Sequence, residues 1–292
     1  MLLLQLTING LAAGALYALM AVGFAIIYNG TRILHLAHGA AFTFGGYMLY
    51  VLVSGLKMPI LVAFPLAVLA TAALGVLMDV FVYRPLRAKD SSNDAVLIAS
   101  IGLLTLLQAI YALVFGTETR NLRHDPMPSF EIGEIIVTEF HIIAALVAVV
   151  LFTLLQVFLT RSRYGRAIRA LADNPKLAVV IGIDTDRLYM LLFALGSGLA
   201  AVAMGLMAFD TGIRPQMGFS VMVLILVAVI VGGIGYLPGA AAGGVLLGVL
   251  QHVSLWQLSA GWQDVVVFGA LILFLLLRPQ GIFGHLLATR RA

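Results

Sequence analysis

Nine apolar runs, at about residues 6–28, 40–56, 60–83, 95–115, 141–160, 188–209, 218–234, 240–257 and 263–277, divide almost the whole chain between them. Most reach the ~20 residues that a helix needs to cross ~30 Å of hydrocarbon. In that solvent a segment must satisfy its own backbone N–H and C=O groups, and a helix does so internally. The expectation is an all-α polytopic integral membrane bundle with about eight or nine transmembrane segments, forming a single transmembrane domain over residues 1–292. The composition leaves no room for a soluble domain: 62% of residues are hydrophobic and 10% charged. The first run follows Met1 with no basic region before it and no small-residue cleavage site after it, so it reads as a retained span rather than a signal peptide. The absence of cysteine excludes disulfides, thiolate catalysis and Cys-ligated metals.

Two linkers are short and interrupted by glycine, 28–40 and 232–240. Each reads either as a tight turn or as a broken, partly re-entrant helix. Irregular backbone at membrane depth needs protein or water around it, not lipid. Eight full spans plus a broken segment therefore stand beside nine full spans.

The cationic residues fix an orientation. With the N-terminus outside, thirteen of the 17 Lys and Arg fall on the cytoplasmic side: Arg32, Arg84, Arg87, Lys89, Arg161, Arg163, Arg166, Arg169, Lys176, Arg187, Arg278, Arg290 and Arg291. Four fall outside, Lys57, Arg120, Arg123 and Arg214, in segments that also carry Glu118, Asp125, Glu131, Glu134 and Glu139. The positive-inside rule then gives N-out and C-in.

Six of those cations lie in 161–187, RSRYGRAIRALADNPKLAVVIGIDTDR, between two apolar runs. Tyr164, Ala167, Ile168 and Leu171 fall at i, i+3, i+4 and i+7, which predicts a short helix with one apolar face. Arg163, Arg166 and Arg169 ride the other face, and Ala170 sits beside the apolar one. Asp173, Asn174 and Pro175 end the helix, since the residue before proline is pushed out of the helical region and Asp and Asn favour turns. This helix is too short and too charged to cross a bilayer. It reads either as a basic loop that fixes topology or as a helix lying across the ends of the spans, where another protein grips it.

Gly235, Gly239 and Gly243 form GxxxGxxxG, continued by Gly244 and Gly248 and preceded by Gly232 and Gly233. Such a surface lets backbones approach closely. It reads as helix packing, or as a broken helix lining a pathway, where half-helix dipoles and free backbone groups meet a polar solute. His35 and His38 sit at i, i+3; with no third ligand and no HExxH, interior hydrogen-bonded histidines are the expectation and a metal site is not. Asp79, near the end of its run, reads as the partner of Arg84 or Arg87, because a lone charge there is costly. Gln108 and Gln251 are candidates for interhelical hydrogen bonds. None of Lys57, Lys89 and Lys176 follows glycine, so the chain has no P-loop, and any ATP and Mg belong to other subunits. No chain of intramembrane acids suggests ion coupling, and no set of side chains suggests an enzyme.

Six stretches in series resemble a known family: GALYALMAVGFAIIYNGTRILHLAHGAAFTFGGY, DVFVYRPLR, LIASIGLLTLLQ, RAIRALADNPKLAVVIGIDTDR, GGIGYLPGAAAGGVLLGVLQ and LRPQGIFG. The chain is similar to the inner-membrane permease of high-affinity branched-chain amino acid ABC transporters. It departs from the family's usual pattern in having His35 where Asn is common, Asp79 for Glu, Gln251 near a usual Glu, and Tyr236 near a small polar residue. Relatives of this family carry urea or short amides, and a sugar- or nucleoside-type permease and a stand-alone secondary transporter are the other readings. The resemblance implies a bacterial inner-membrane permease domain, without cofactor of its own, working with a second homologous permease, two cytoplasmic ATP-binding subunits and a periplasmic solute-binding protein, and with no nucleic acid. It also implies that 161–187 is the coupling segment, with Tyr164, Arg166, Ala167, Ile168, Ala170 and Leu171 at the ATPase and Asp173, Asn174 and Pro175 setting its exit.

Overall fold

Helix α1 runs unbroken from Leu2 to Thr31, and the chain then leaves the helical path at Arg32, whose φ is 59°. The computed structural model describes residues 1–122, 128–133, 135–278 and 281–283. Arg123, Asp125, Glu134, Arg290 and Arg291, used above in the charge map, lie outside the described residues, as does part of the stretch LRPQGIFG.

After α1 come α2 (His38–Tyr50), α3 (Ile60–Met78), α4 (Arg84–Ala88), α5 (Asn93–Phe115), a hairpin of β1 (Ser129–Ile132) and β2 (Ile135–Thr138), and α6 (Glu139–Arg161). The short helices α7 (Arg163–Asp173) and α8 (Pro175–Val180) precede α9 (Thr185–Asp210), α10 (Met217–Gly232), α11 (Leu237–Ser254) and α12 (Gln263–Leu277). Each of the nine apolar runs lies on a helix. Among the described residues seven helical stretches are long and apolar enough to cross a membrane, with Met217–Gly232 a shorter apolar helix. Two π-helical turns extend the elements beside them, Val51–Gly55 after α2 and Asp79–Tyr83 between α3 and α4. The second has a local cause: Pro85 has no N–H to offer the Phe81 carbonyl, and the ladder just before it widens so that the Arg84 N–H bonds to the Asp79 carbonyl.

The chain divides into two compact units. The first comprises residues 1–25, 123–150 and 223–292. Here α1 packs on α11 through glycine: a Cβ on Gly10 would lie 2.7 Å from the Val249 Cα, and one on Gly14 would lie 2.8 Å from the Val245 Cα. Tyr17 on α1 donates to the Gln251 side chain on α11 at 3.0 Å, the interhelical bond expected of that glutamine. The hairpin is tied to α1 by the Gln5 amide, which donates to the Ile136 carbonyl and accepts from the Ile136 N–H, each at 2.8 Å.

The second unit comprises residues 26–122 and 151–222, in which α2, α3 and α9 pack against one another and α5 packs on α2. Small residues again set the spacing. A Cβ on Gly45 would lie 2.8 Å from the Ala201 Cα, and one on Gly75 would lie 2.7 Å from the Phe193 carbonyl. Leu49, Ala63 and Ala67 form a buried apolar cluster, with Phe64 and Phe209 packed on it.

Candidate functional site

Both short linkers are helix breaks, and each is held by named groups. In the Gly-rich break, α10 stops at Gly232 and α11 starts at Leu237, with Gly233 at φ 107° and Gly235 at φ 94°, conformations that L side chains rarely adopt. Gly235 lies in the turn, and Gly239 and Gly243 lie on α11. Those two meet α10: an added Cβ at Gly239 would overlap the Gly232 carbonyl, and one at Gly243 would overlap the Ala228 carbonyl. Beyond α12 the chain returns to this turn, where the Ile282 N–H bonds to the Val231 carbonyl at 2.8 Å.

The other break, residues 32–37, is lined by buried polar groups. His35 and His38 are both fully buried, with ring centroids 5.8 Å apart. His35 Nδ1 lies 2.7 Å from the Tyr83 hydroxyl, which donates to Ser100 Oγ at 2.9 Å. With the Tyr83 proton given to Ser100, the first contact is made by His35 Nδ1–H donating to the Tyr83 oxygen. Ser100 Oγ also accepts the Ala37 N–H at 3.1 Å. The first turn of a helix leaves N–H groups without intrahelical partners. Ala37, the cap residue of α2, has no polar side chain; the His35, Leu36 and Ala37 carbonyls take the N–H groups of His38, Gly39 and Ala40, and Ser100 on α5 takes that of Ala37 itself. Phe193 on α9 closes the cluster, stacked on Tyr83 at 5.1 Å and edge-on to His35 at 4.9 Å. Tyr83, Ser100 and Phe193 escape a reading of the sequence because they come from three separate helices, and because the π turn sets the direction in which Tyr83 projects.

One charged cluster adjoins the same π turn. Asp79 pairs with Arg87 at 2.7 Å, one of the two partners expected for it, while Arg84 pairs with Asp186 at the start of α9, also at 2.7 Å. The Arg87 guanidinium lies 4.2 Å from the centre of the Tyr189 ring on α9. Gln108 differs from its expected role, since its Nε2 is buried without a hydrogen-bond partner among the described residues.

The segment 161–187 forms two helices and an ordered exit. Ser162 caps α7 by accepting the Gly165 N–H at 2.8 Å, and Gly165 lets the helix turn tightly off the end of α6, where a Cβ would overlap the Phe158 and Leu159 carbonyls. Asp173 is the last residue of α7; Asn174 caps α8 by accepting the Leu177 N–H at 3.0 Å, and Pro175 opens α8. Asp184 caps α9. The predicted apolar face exists, but the chain uses part of it internally. Ile168 and Leu171 are buried, and α7 packs on α9. Arg32, in the break after α1, donates to the Ala172 carbonyl at 2.9 Å, and Arg169 donates to the Leu159 carbonyl. Ile168 and Leu171 are covered by their own chain: amphipathicity reports a buried face without saying whose chain buries it. Ala167 and Ala170 are half-buried, and Tyr164 and Arg166 are exposed. Leu177, Val179, Val180 and Ile181, on and just after α8, are all exposed.

The sequence is similar to known proteins over nearly its whole length. Residues 6–276 match the family described as "Branched-chain amino acid transport system / permease component". The chain is 34% identical over 296 residues to the high-affinity branched-chain amino acid transport system permease protein BraD of Pseudomonas aeruginosa, covering 97% of this chain and 96% of that one. It is 35% identical over 301 residues to the permease protein LivH of Salmonella typhimurium, and 34% identical over 301 residues to LivH of Escherichia coli, again with 97% and 96% covered. A solved structure, PsaBC from Streptococcus pneumoniae in complex with Fab, is similar at a TM-score of 0.52 and 14% identity over 91% of this chain and 89% of that one, a likeness of fold alone. With its apolar runs all on helices, two glycine-marked breaks and a match that spans both, the chain belongs to the permease component family of branched-chain amino acid transport systems.

Proposed function

We infer that this chain is one of two homologous membrane-spanning subunits of an ATP-driven importer for branched-chain amino acids, with its N-terminus outside and its C-terminus inside a bacterial plasma membrane. The observation that carries the reading is the match across nearly the whole chain to permeases whose names specify that solute class. This reading puts the ATP sites on other subunits, in keeping with a chain in which no lysine sits in a Gly-Lys-Ser/Thr context. Two ATP-binding subunits supply the energy from the cytoplasmic side, and a periplasmic binding protein delivers the solute.

Within that assembly, 161–187 couples this chain to an ATP-binding subunit. Its contact surface is Tyr164 and Arg166 on α7, with Ala167 and Ala170 beside them, continued by Leu177, Val180 and Ile181. Ile168 and Leu171 lie buried beneath it, on a helix that packs on α9. Asp173, Asn174 and Pro175 set the angle between the two short helices. Four exposed apolar residues so close together, outside the spans, support a covered surface. The glycine-marked breaks, with His35 and His38 at one and Gly232, Gly233, Gly235, Gly239 and Gly243 at the other, are where irregular backbone at membrane depth favours a solute path.

The test is reconstitution of the chain with its second permease and ATP-binding subunits in proteoliposomes, with binding protein and radiolabelled leucine outside. Uptake should require ATP inside and binding protein outside. ATP-independent uptake by this chain alone would instead make it a stand-alone transporter.

A further inference from the structure

We propose that Tyr83 is a positioning residue for transport, which holds the capped start of α2 to the charged end of α3–α4 and so makes that cap part of the conformational cycle. The proposal rests on the importer reading above. Tyr83 closes the π turn Asp79–Tyr83, and a π turn inside a helix commonly marks a functional site. Its hydroxyl has one proton and reaches two groups, His35 Nδ1 and Ser100 Oγ, and Ser100 in turn holds the Ala37 N–H. At the first residue of the turn Asp79 pairs with Arg87, whose guanidinium lies over the Tyr189 ring, and Arg84, directly after Tyr83, pairs with Asp186 at the start of α9. Only residues 181–184 separate α8 from α9, with Asp184 capping α9, so a displacement of the coupling segment reaches Asp186 and Tyr189 first. It then passes to Arg84 and Arg87, through the π turn to Tyr83, and from Tyr83 to the start of α2.

What makes this more than packing is the state of the cluster. Every side chain in it is buried, yet His35 Nε2 has no hydrogen-bond partner among the described residues. A buried polar atom left unpaired is costly, so an arrangement that pairs it competes with this one. Pro85 keeps the π turn in place, so Tyr83 stays aimed at His35 Nδ1 and Ser100 Oγ, and any movement of the turn draws on both contacts.

The experiment compares Tyr83→Phe with the unaltered chain in the complete reconstituted importer, reading leucine uptake and ATP hydrolysis together. Phenylalanine keeps the stack on Phe193 and removes only the hydroxyl. The expected result is an unchanged yield of the assembled complex and an unchanged KM for leucine, with leucine moved per ATP hydrolysed lower by about fivefold or more, the lower end of measured coupling between sites. Ser100→Ala should lower the same ratio, and the double variant should be no worse than the worse single one. Yield or thermal stability lowered while uptake per ATP stays normal in Tyr83→Phe would show a structural role only and overturn the proposal, as would effects of the two substitutions that simply multiply. If the unaltered complex shows no ATP-linked uptake, the importer reading fails and the Tyr83 proposal falls with it; normal uptake with an unchanged ratio in Tyr83→Phe overturns the Tyr83 proposal alone.

Discussion

Asp79 and Arg87 meet at 2.7 Å with very different exposure: the carboxylate is 1% exposed and the arginine side chain 20%. The pair joins the first residue of the π turn to α4. Because the burial is unequal, the two halves of the pair are not equivalent. Arg87→Leu leaves a carboxylate uncompensated in the interior, which costs about 3–5 kcal/mol. Asp79→Asn leaves an arginine whose side chain is partly exposed and whose guanidinium keeps the Tyr189 ring, so its loss is nearer the ~1–3 kcal/mol of an imperfectly paired group. The thermal midpoint of the purified protein should fall much further for Arg87→Leu. Replacing both with leucine should recover part of the loss. Equal effects of the two single changes would mean that the carboxylate is reached by water.

The glycines divide by what surrounds them rather than by spacing. Gly239 and Gly243 face carbonyls of α10 closely enough that any Cβ overlaps them, so Gly239→Leu and Gly243→Leu should lower folded yield severely. Gly102, inside α5, is different: a methyl group added there would meet nothing within 4 Å. Gly102→Ala should raise stability by about 0.5–1 kcal/mol, the usual gain of alanine over glycine within a helix. Yields in membranes and melting curves check both; normal accumulation of both leucine variants would show that α10 and α11 separate without loss.

Single cysteines read the orientation, since the chain has none of its own. Val180→Cys sits just where α8 ends, and Ala260→Cys sits in the connection between α11 and α12; both positions are exposed. In intact cells an impermeant thiol reagent should modify Ala260→Cys and spare Val180→Cys, while permeabilised cells should show both labelled. The reverse pattern would invert the membrane orientation and place α7 and α8 away from any cytoplasmic partner.

Much of this architecture is legible in the sequence because hydrocarbon imposes a length and a composition on every span, and glycine and proline mark the breaks. Asn174 and Pro175 stand where α7 gives way to α8, and Gly233 and Gly235 take the left-handed conformations of the second break. The buried cluster is not legible. His35, Tyr83, Ser100 and Phe193 lie in different elements, and periodicity within one helix carries no information about which other helix it meets. The π turn also shifts Tyr83 off the 3.6-residue pattern of α3, so extrapolating that pattern gives it the wrong direction. The apolar face of α7 shows the same limit from the other side: its residues are plain in the sequence, but their burial against their own chain is not.

That burial separates two kinds of substitution in 161–187. Ile168 is 4% exposed and packed within its own chain, so Ile168→Asp should cost several kcal/mol of folding, because an unpaired carboxylate loses its hydration with nothing in return. Less protein should reach the membrane, and what does should be prone to loss in detergent. Val180 is 80% exposed, and Val180→Asp leaves the carboxylate in water in the isolated permease, so abundance and melting should be unchanged. On assembly the same carboxylate would have to be buried against an ATP-binding subunit. Each 1.4 kcal/mol lost there weakens binding tenfold, so a penalty of a few kcal/mol removes the subunits during purification. Ile181→Asp should behave likewise, and Tyr164→Ala should weaken retention by losing contact area without adding charge. The measurements are folded yield of the permease alone and retention of ATP-binding subunits by the purified complex. Full retention in Val180→Asp and Ile181→Asp would move the contact off α8; a normal yield for Ile168→Asp would mean that α7 is not fixed to α9 as the structure places it.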